Sequence, residues 1–167
     1  MKILVLNGSP RKGNTKQALM QVCSHISDKH EVEMLDLYDF QFSPYCENKK
    51  ADDSMKVIEK ILKADVLVFG TPVYYMGMSA QMKMLIDNFI LVNEQLMEKK
   101  RKVYAVACGG DGLDNIQYHF IGEHIKAIAT YLKWEFVQFI PIAAYEADDV
   151  LAQPETMNRL AEMGKSI

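Results

Sequence analysis

The sequence predicts an α/β fold: a doubly wound, three-layer sandwich on a five-stranded parallel sheet. Three observations predict it. Apolar runs of strand length alternate with longer segments of helical periodicity along the chain. Three of those runs are nearly continuous in Ile, Leu, Val, Ala and Phe, as parallel strands covered on both faces require. No turn signal joins neighbouring runs into a hairpin, which leaves right-handed βαβ crossovers to connect them.

The strands are read at Lys2–Asn7, 31–37, 66–70, 102–108 and 135–142, the first, third and fourth being the continuous apolar runs. Helices are read between them at 15–27, 53–63, 80–100 and 113–132, with a short last helix within 154–163. Asp52 and Asp53 suit the positive end of the second helix. Ser79 is placed to cap the third, where Met82, Leu85, Ile86 and Phe89 recur at helical spacing. Met84, Leu91, Val92 and Met97 make that helix apolar on more than one face, which points to a partner on its far side, with a deeper core as the alternative. The basic run Lys99-Lys100-Arg101-Lys102 closes it and complements the helix dipole.

A chain of 167 residues fits one domain, 1–167, and a net charge of −3 gives no reason to expect nucleic acid as a partner. No apolar run is long enough to span a membrane, and Met1-Lys2 leads straight into a strand rather than a secretory segment. The expected setting is the cytoplasm. Cys23, Cys46 and Cys108 are widely spaced, with no metal-ligand pattern among them or the histidines, so no metal site is expected.

Three loops follow the carboxyl ends of strands, where the crevice of such a sheet lies. The first, Gly8-Ser9-Pro10-Arg11-Lys12-Gly13-Asn14-Thr15, runs into a helix. Its glycines allow close approach to a ligand, and the helix start offers unpaired N–H groups and a positive dipole end. Ser9, Asn14 and Thr15 add donors and Arg11 a full charge, a set suited to a phosphate monoester without a metal. The loop is neither a Walker A nor a dinucleotide fingerprint. A plain turn capped by Asn14 or Thr15 would account for only part of it.

The second loop, Thr71-Pro72-Val73-Tyr74-Tyr75-Met76-Gly77-Met78-Ser79, combines an apolar, aromatic surface with free backbone amides, as a flat heteroaromatic ring requires. On these residues alone, Tyr74 and Tyr75 serve equally well as aromatics half buried in a turn. The third, Ala107-Cys108-Gly109-Gly110-Asp111-Gly112, carries three glycines that permit positive φ and leave amides uncovered. Cys108 has no histidine partner and is read as a buried strand end or a ligand neighbour. Asp111 beside a bound ring would disfavour an anionic form of that ring.

These segments resemble the NADPH-dependent FMN reductase family of the flavodoxin-like superfamily. Gly-Ser-Pro-Arg followed by Gly-Asn-Thr is similar to that family's phosphate loop. Gly-Thr-Pro-Val-Tyr followed by Ser-Ala-Gln-Met-Lys and Ile-Asp-Asn is similar to its flavin-ring loop and next helix. The resemblance covers most of the chain and weakens after about Tyr131. It implies a flavodoxin-like fold with strand order 2-1-3-4-5 and FMN as cofactor. It implies a phosphate held by Ser9, Arg11, Gly13, Asn14 and Thr15, with Lys12 and Lys16 as contributors. The ring would be bordered by Pro72, Val73, Tyr74, Tyr75, Met76 and Gly77 on one side and Gly109 and Gly110 on the other.

The implied reaction is hydride transfer from NADPH or NADH to flavin, then to a quinone, azo compound, nitroaromatic, metal ion or free flavin. The flavin carries that chemistry, and no catalytic side chain is assigned. The implied assembly is a homodimer or homotetramer. A flavodoxin-type electron carrier without nicotinamide oxidation is the competing class, and a flavin-free family member acting through dimerisation is a third. One departure is visible. Iron–sulfur flavoproteins related to the family carry a cysteine cluster where this chain reads Phe42-Ser43-Pro44-Tyr45-Cys46-Glu47-Asn48-Lys49-Lys50. A single thiolate cannot hold a cluster that takes about four ligands, so none is expected.

Overall fold

Alternation along the central strands sorts side chains to two apolar layers. Leu4, Leu6, Leu67, Phe69, Val103 and Ala105 face one way, Ile3, Val5, Val66, Val68, Tyr104 and Val106 the other. The computed structural model describes residues 1–46 and 51–167, so Glu47, Asn48, Lys49 and Lys50 of the segment quoted above lie outside the described residues. Strands β1 (Lys2–Asn7), β2 (Glu31–Asp36), β3 (Val66–Tyr74), β5 (Lys102–Gly109) and β6 (Glu135–Ala143) pair in parallel in the order β2-β1-β3-β5-β6. This is the expected order of five parallel strands. Helices α1 (Asn14–Cys23) and α6 (Pro154–Ser166) cover one face of the sheet. The other face is covered by α2 (Ser54–Lys63), α3 (Ala80–Asp87) and α5 (Ile116–Tyr131). The result is a flavodoxin-like three-layer arrangement.

Two features depart from the expected elements. A hairpin is present: β3 runs past Gly70 to Tyr74 and turns back as the two-residue β4 (Gly77–Met78), antiparallel at Val73 with Met78 and Tyr74 with Gly77. The turn residues Tyr75 and Met76 both have positive φ, 45° and 66°. That is the backbone of a type I′ turn, normally supplied by Asn-Gly or Asp-Gly, which is why no hairpin signal was legible. The glycines contribute none of it, since no described glycine has positive φ.

The helix expected over 80–100 is broken. It stops at Asp87, a 3₁₀ turn spans Asn88–Val92, and α4 (Asn93–Glu98) follows. Asn88 is buried, and its Nδ2 donates to the Met84 carbonyl at 2.7 Å and to the Ser43 carbonyl at 3.0 Å. A side chain that bonds the carbonyl one turn back competes with helix continuation. The break turns Val92 into the core while leaving Ile90 and Leu91 exposed, so Val92 is not on a far face as the periodicity implied.

The expected dipole-complementing basic run is also built differently. Arg101 is 2% exposed, and its guanidinium donates to the carbonyls of Ile61 and Leu62 at the end of α2 and Leu96 and Lys99 around the end of α4. It lies 5.2 Å from the Trp134 ring centre, whose indole N–H also donates to the Leu96 carbonyl. Arg101 therefore caps two helices from inside the protein.

Candidate flavin site

The carboxyl ends of β1, β3, β5 and β6 frame one depression. Its phosphate-loop end starts at buried Asn7, whose Nδ2 donates to Asp36 Oδ1 at 2.9 Å while its Oδ1 accepts the Ser9 N–H at 3.1 Å. The Ser9 hydroxyl accepts from the Arg11 N–H at 3.2 Å and donates to the Arg11 carbonyl at 3.1 Å, which folds the loop on itself. The second Asp36 oxygen pairs with Lys16, which engages the charge of that lysine. Burial works to raise the Asp36 pKa. The hydrogen bonds from Lys16 and Asn7, with the charges of Lys16 and Lys12, outweigh it and hold the carboxyl below its ordinary value.

Neither Asn14 nor Thr15 caps α1. The N-cap is Gly13, extended and with no side-chain capping bond, so the first N–H groups of the helix keep their positive end open. Ser9, Arg11, Gly13, Asn14 and Thr15 all line a cleft of about 240 Å³ at this end, with Pro72 and Cys108 as its floor. The sequence motif thus converges in space. The Asn14 amide, however, turns outward: Nδ2 donates to the Glu146 carbonyl at 2.8 Å and Oδ1 accepts the Val150 N–H at 3.1 Å.

A second cleft of about 870 Å³ is lined by Pro72, Val73, Tyr74, Tyr75 and Met76 on one side and Gly109, Gly110 and Asp111 on the other. It shares Arg11, Pro72, Cys108 and residues 144–147 with the first, so the two are continuous. Gly77 sits in β4 and is not among the lining residues. Ser79 caps α3 as expected, its Oγ accepting the Met82 N–H at 3.3 Å. At Gly109 a Cβ would lie 2.9 Å from Val73 Cγ2 and 3.0 Å from the Tyr118 hydroxyl, and at Gly110 it would lie 2.6 Å from Tyr145 Cδ2. These glycines serve close approach rather than unusual φ. The Tyr118 hydroxyl sits among the carbonyls of Gly109, Asp111 and Ile142 and ties the ends of β5 and β6 together.

Cys108 is buried, which pushes its thiol up to about 12, with a Thr15 hydrogen bond acting the other way. A thiol held protonated is no nucleophile, so it is a floor residue. Asp111 is exposed at the cleft wall and accepts from Asn115 at 3.3 Å. Sequence reasoning missed Gln117 at the start of α5 and the loop Ala144-Tyr145-Glu146-Ala147 after β6. The signal available for that loop was its position at a strand's carboxyl end.

A family model described as NADPH-dependent FMN reductase matches residues 1–125. The chain belongs to that family. It is accordingly an oxidoreductase whose cofactor is FMN and whose electron donor is NAD(P)H. YwqN of Bacillus subtilis, described as an NAD(P)H-dependent FMN-containing oxidoreductase, is 30% identical over 75% of this chain and 82% of its own. An iron–sulfur flavoprotein of Archaeoglobus fulgidus is 32% identical over 63% of this chain, a match spanning 57% of that protein. Among solved structures, the NAD(P)H:quinone oxidoreductase of Methanothermobacter marburgensis superposes with a TM-score of 0.73 at 17% identity, over 99% of this chain and 98% of that one. At that identity the likeness shows the fold. Among the described residues no helix is long and apolar enough to cross a membrane.

Proposed function

We propose that the cleft holds FMN with its phosphate against the start of α1 and its ring between the β3–β4 hairpin and the glycine loop after β5. The observation that carries this reading is the uncapped α1 N-terminus opening into the same depression as the Tyr74–Met76 turn. When bound, FMN supplies a two-electron centre that takes hydride from NAD(P)H and passes it to an acceptor. The protein's part is binding and access. Arg11 and the helix N–H groups neutralise the phosphate, Ser9 and Thr15 fix its place, and the turn after Pro72, through Met76, presents backbone amides and an apolar edge. Gly109 and Gly110 keep the opposite wall thin. The acceptor class is a quinone, azo compound, nitroaromatic, metal ion or free flavin, and the setting is the cytoplasm.

The reading includes a homodimer or homotetramer. A groove of about 460 Å³ between the α3 end and α5, lined by Phe89, Ile90, Ile128 and Tyr131, supports it. The test is the visible absorbance of the purified protein with added FMN, before and after anaerobic NADPH. Bound flavin that bleaches is the expected result. Flavin that binds without bleaching selects an electron carrier, and protein that takes up no FMN defeats the reading.

A further inference from the structure

Asn14 occupies a position in the phosphate-loop motif, yet both polar atoms of its side chain are spent elsewhere. Its Nδ2 donates to the Glu146 carbonyl and its Oδ1 accepts from Val150 N–H, two partners at the far end of the chain between β6 and α6. Further bonds act together with these two on the segment they belong to. Gln17, one turn further along α1, bonds Asp148, and Asp149 Oδ2 accepts the N–H groups of Tyr145 at 2.9 Å and Glu146 at 2.8 Å. Asp148 holds a positive φ of 69°, so this turn has one defined shape.

The segment is a wall of the cleft along its whole length. Residues 144–147 line the phosphate end together with Ser9 and Gly13, and the ring end together with Val73 and Gly110. Tyr145 projects from it with its ring against Gly110, where even a methyl group would clash at 2.6 Å. Tyr145 is otherwise exposed, and its described contacts are those of its own turn and of Gly110.

We infer that Asn14 is a positioning residue for the ring end: it latches the β6–α6 loop to α1 and so sets Tyr145 beside the flavin ring, rather than binding phosphate through its side chain. The inference rests on the FMN reading of the site. It makes a phosphate-loop residue responsible for ring affinity, and Tyr145 the group through which it acts.

Fluorescence-quenching titrations of the full chain with FMN and with riboflavin, which lacks the phosphate, test it. Asn14→Ala is expected to weaken both flavins by the same factor, on the order of 10-fold, since the cost is that of reordering a loop. Tyr145→Ala is expected to do the same, and the double variant to be no weaker than the worse single one, because the two act as a unit. A phosphate ligand would instead lose FMN and spare riboflavin, and independent residues would multiply their factors. Either result overturns the inference, as does a Tyr145→Ala chain that binds riboflavin like the parent. If Asn14→Ala fails to fold, Asn14→Ser, which keeps an acceptor for Val150 and adds no charge beside the phosphate, enters the same titrations under the same criteria. A parent chain that binds neither flavin defeats the FMN reading as well, whereas parent binding with a selective Asn14 loss defeats only the latch.

Discussion

The two ends of the sheet treat helix termini in opposite ways. At the amino end, Arg101 fills the open carbonyls of α2 and α4 from a buried position. At the carboxyl end, α1 begins on Gly13 with no capping side chain, and the adjoining hairpin turns on two residues strained into positive φ. One end fills helix termini from within, and the other leaves α1 open beside α3 and α5, which Ser79 and Asn115 cap. Open helix N–H groups and backbone strain carry a free-energy cost, so their meeting at the α1 start and the adjoining hairpin supports the ligand site proposed there.

The first way to break this contrast is at the saturated end. Arg101→Met leaves carbonyls of two helix ends without their donor and is expected to cost about 3–4 kcal/mol, several hydrogen bonds to a charged group being lost together. Thermal unfolding should fall by roughly 10 °C at this chain length. FMN affinity of the folded fraction should hold, and a large affinity loss would mean that the two ends are coupled.

The open end should respond inversely. Arg11→Ala removes an exposed side chain, so stability should change by no more than about 0.5 kcal/mol. FMN binding should weaken by about 2 kcal/mol, roughly 30-fold, with riboflavin binding unaffected. Isothermal titration with the two flavins separates these outcomes, and equal losses for both would remove Arg11 from the phosphate.

Strain at the hairpin gives a smaller effect of opposite sign. Tyr75→Gly should raise stability by about 1 kcal/mol, because glycine accepts the positive φ that tyrosine does not. A chemical-denaturation midpoint that falls instead would show that the exposed Tyr75 ring contributes packing. The smallest effect is on pH dependence. Asp36 has its folded pKa held below the unfolded value, so its contribution is present above the unfolded pKa and is lost as pH falls through the folded one. Asp36→Asn should lower stability at neutral pH and flatten the acid limb of a stability-versus-pH curve below about pH 4, where the two chains converge.

What was legible in the sequence follows the same division. The central strands β1, β3 and β5 were readable because burial on both faces writes an unbroken apolar run, as in Ile3 to Leu6 and Val66 to Phe69, and the edge strands β2 and β6 followed from alternation with helices. The loop after β1 stood out because glycines, hydroxyls and a charge cluster within a few residues, and these residues line one cleft. The hairpin was hidden because Tyr75 and Met76 take a conformation that their side chains do not advertise. The break at Asn88 was hidden because a buried amide looks like any polar helix residue until its partners, the Met84 and Ser43 carbonyls, are known. The Asn14 contacts were beyond reach, since they join residues more than a hundred positions apart and no local pattern encodes that pairing.

The central claim is that the open α1 terminus is a phosphate site continuous with a ring site. Comparing the dissociation constants of FMN and riboflavin for the unmodified protein, at fixed low salt, tests it most directly. The structure predicts FMN tighter by on the order of 100-fold, as a phosphate meeting a helix start and a guanidinium would give. Equal affinity for the two flavins would contradict it.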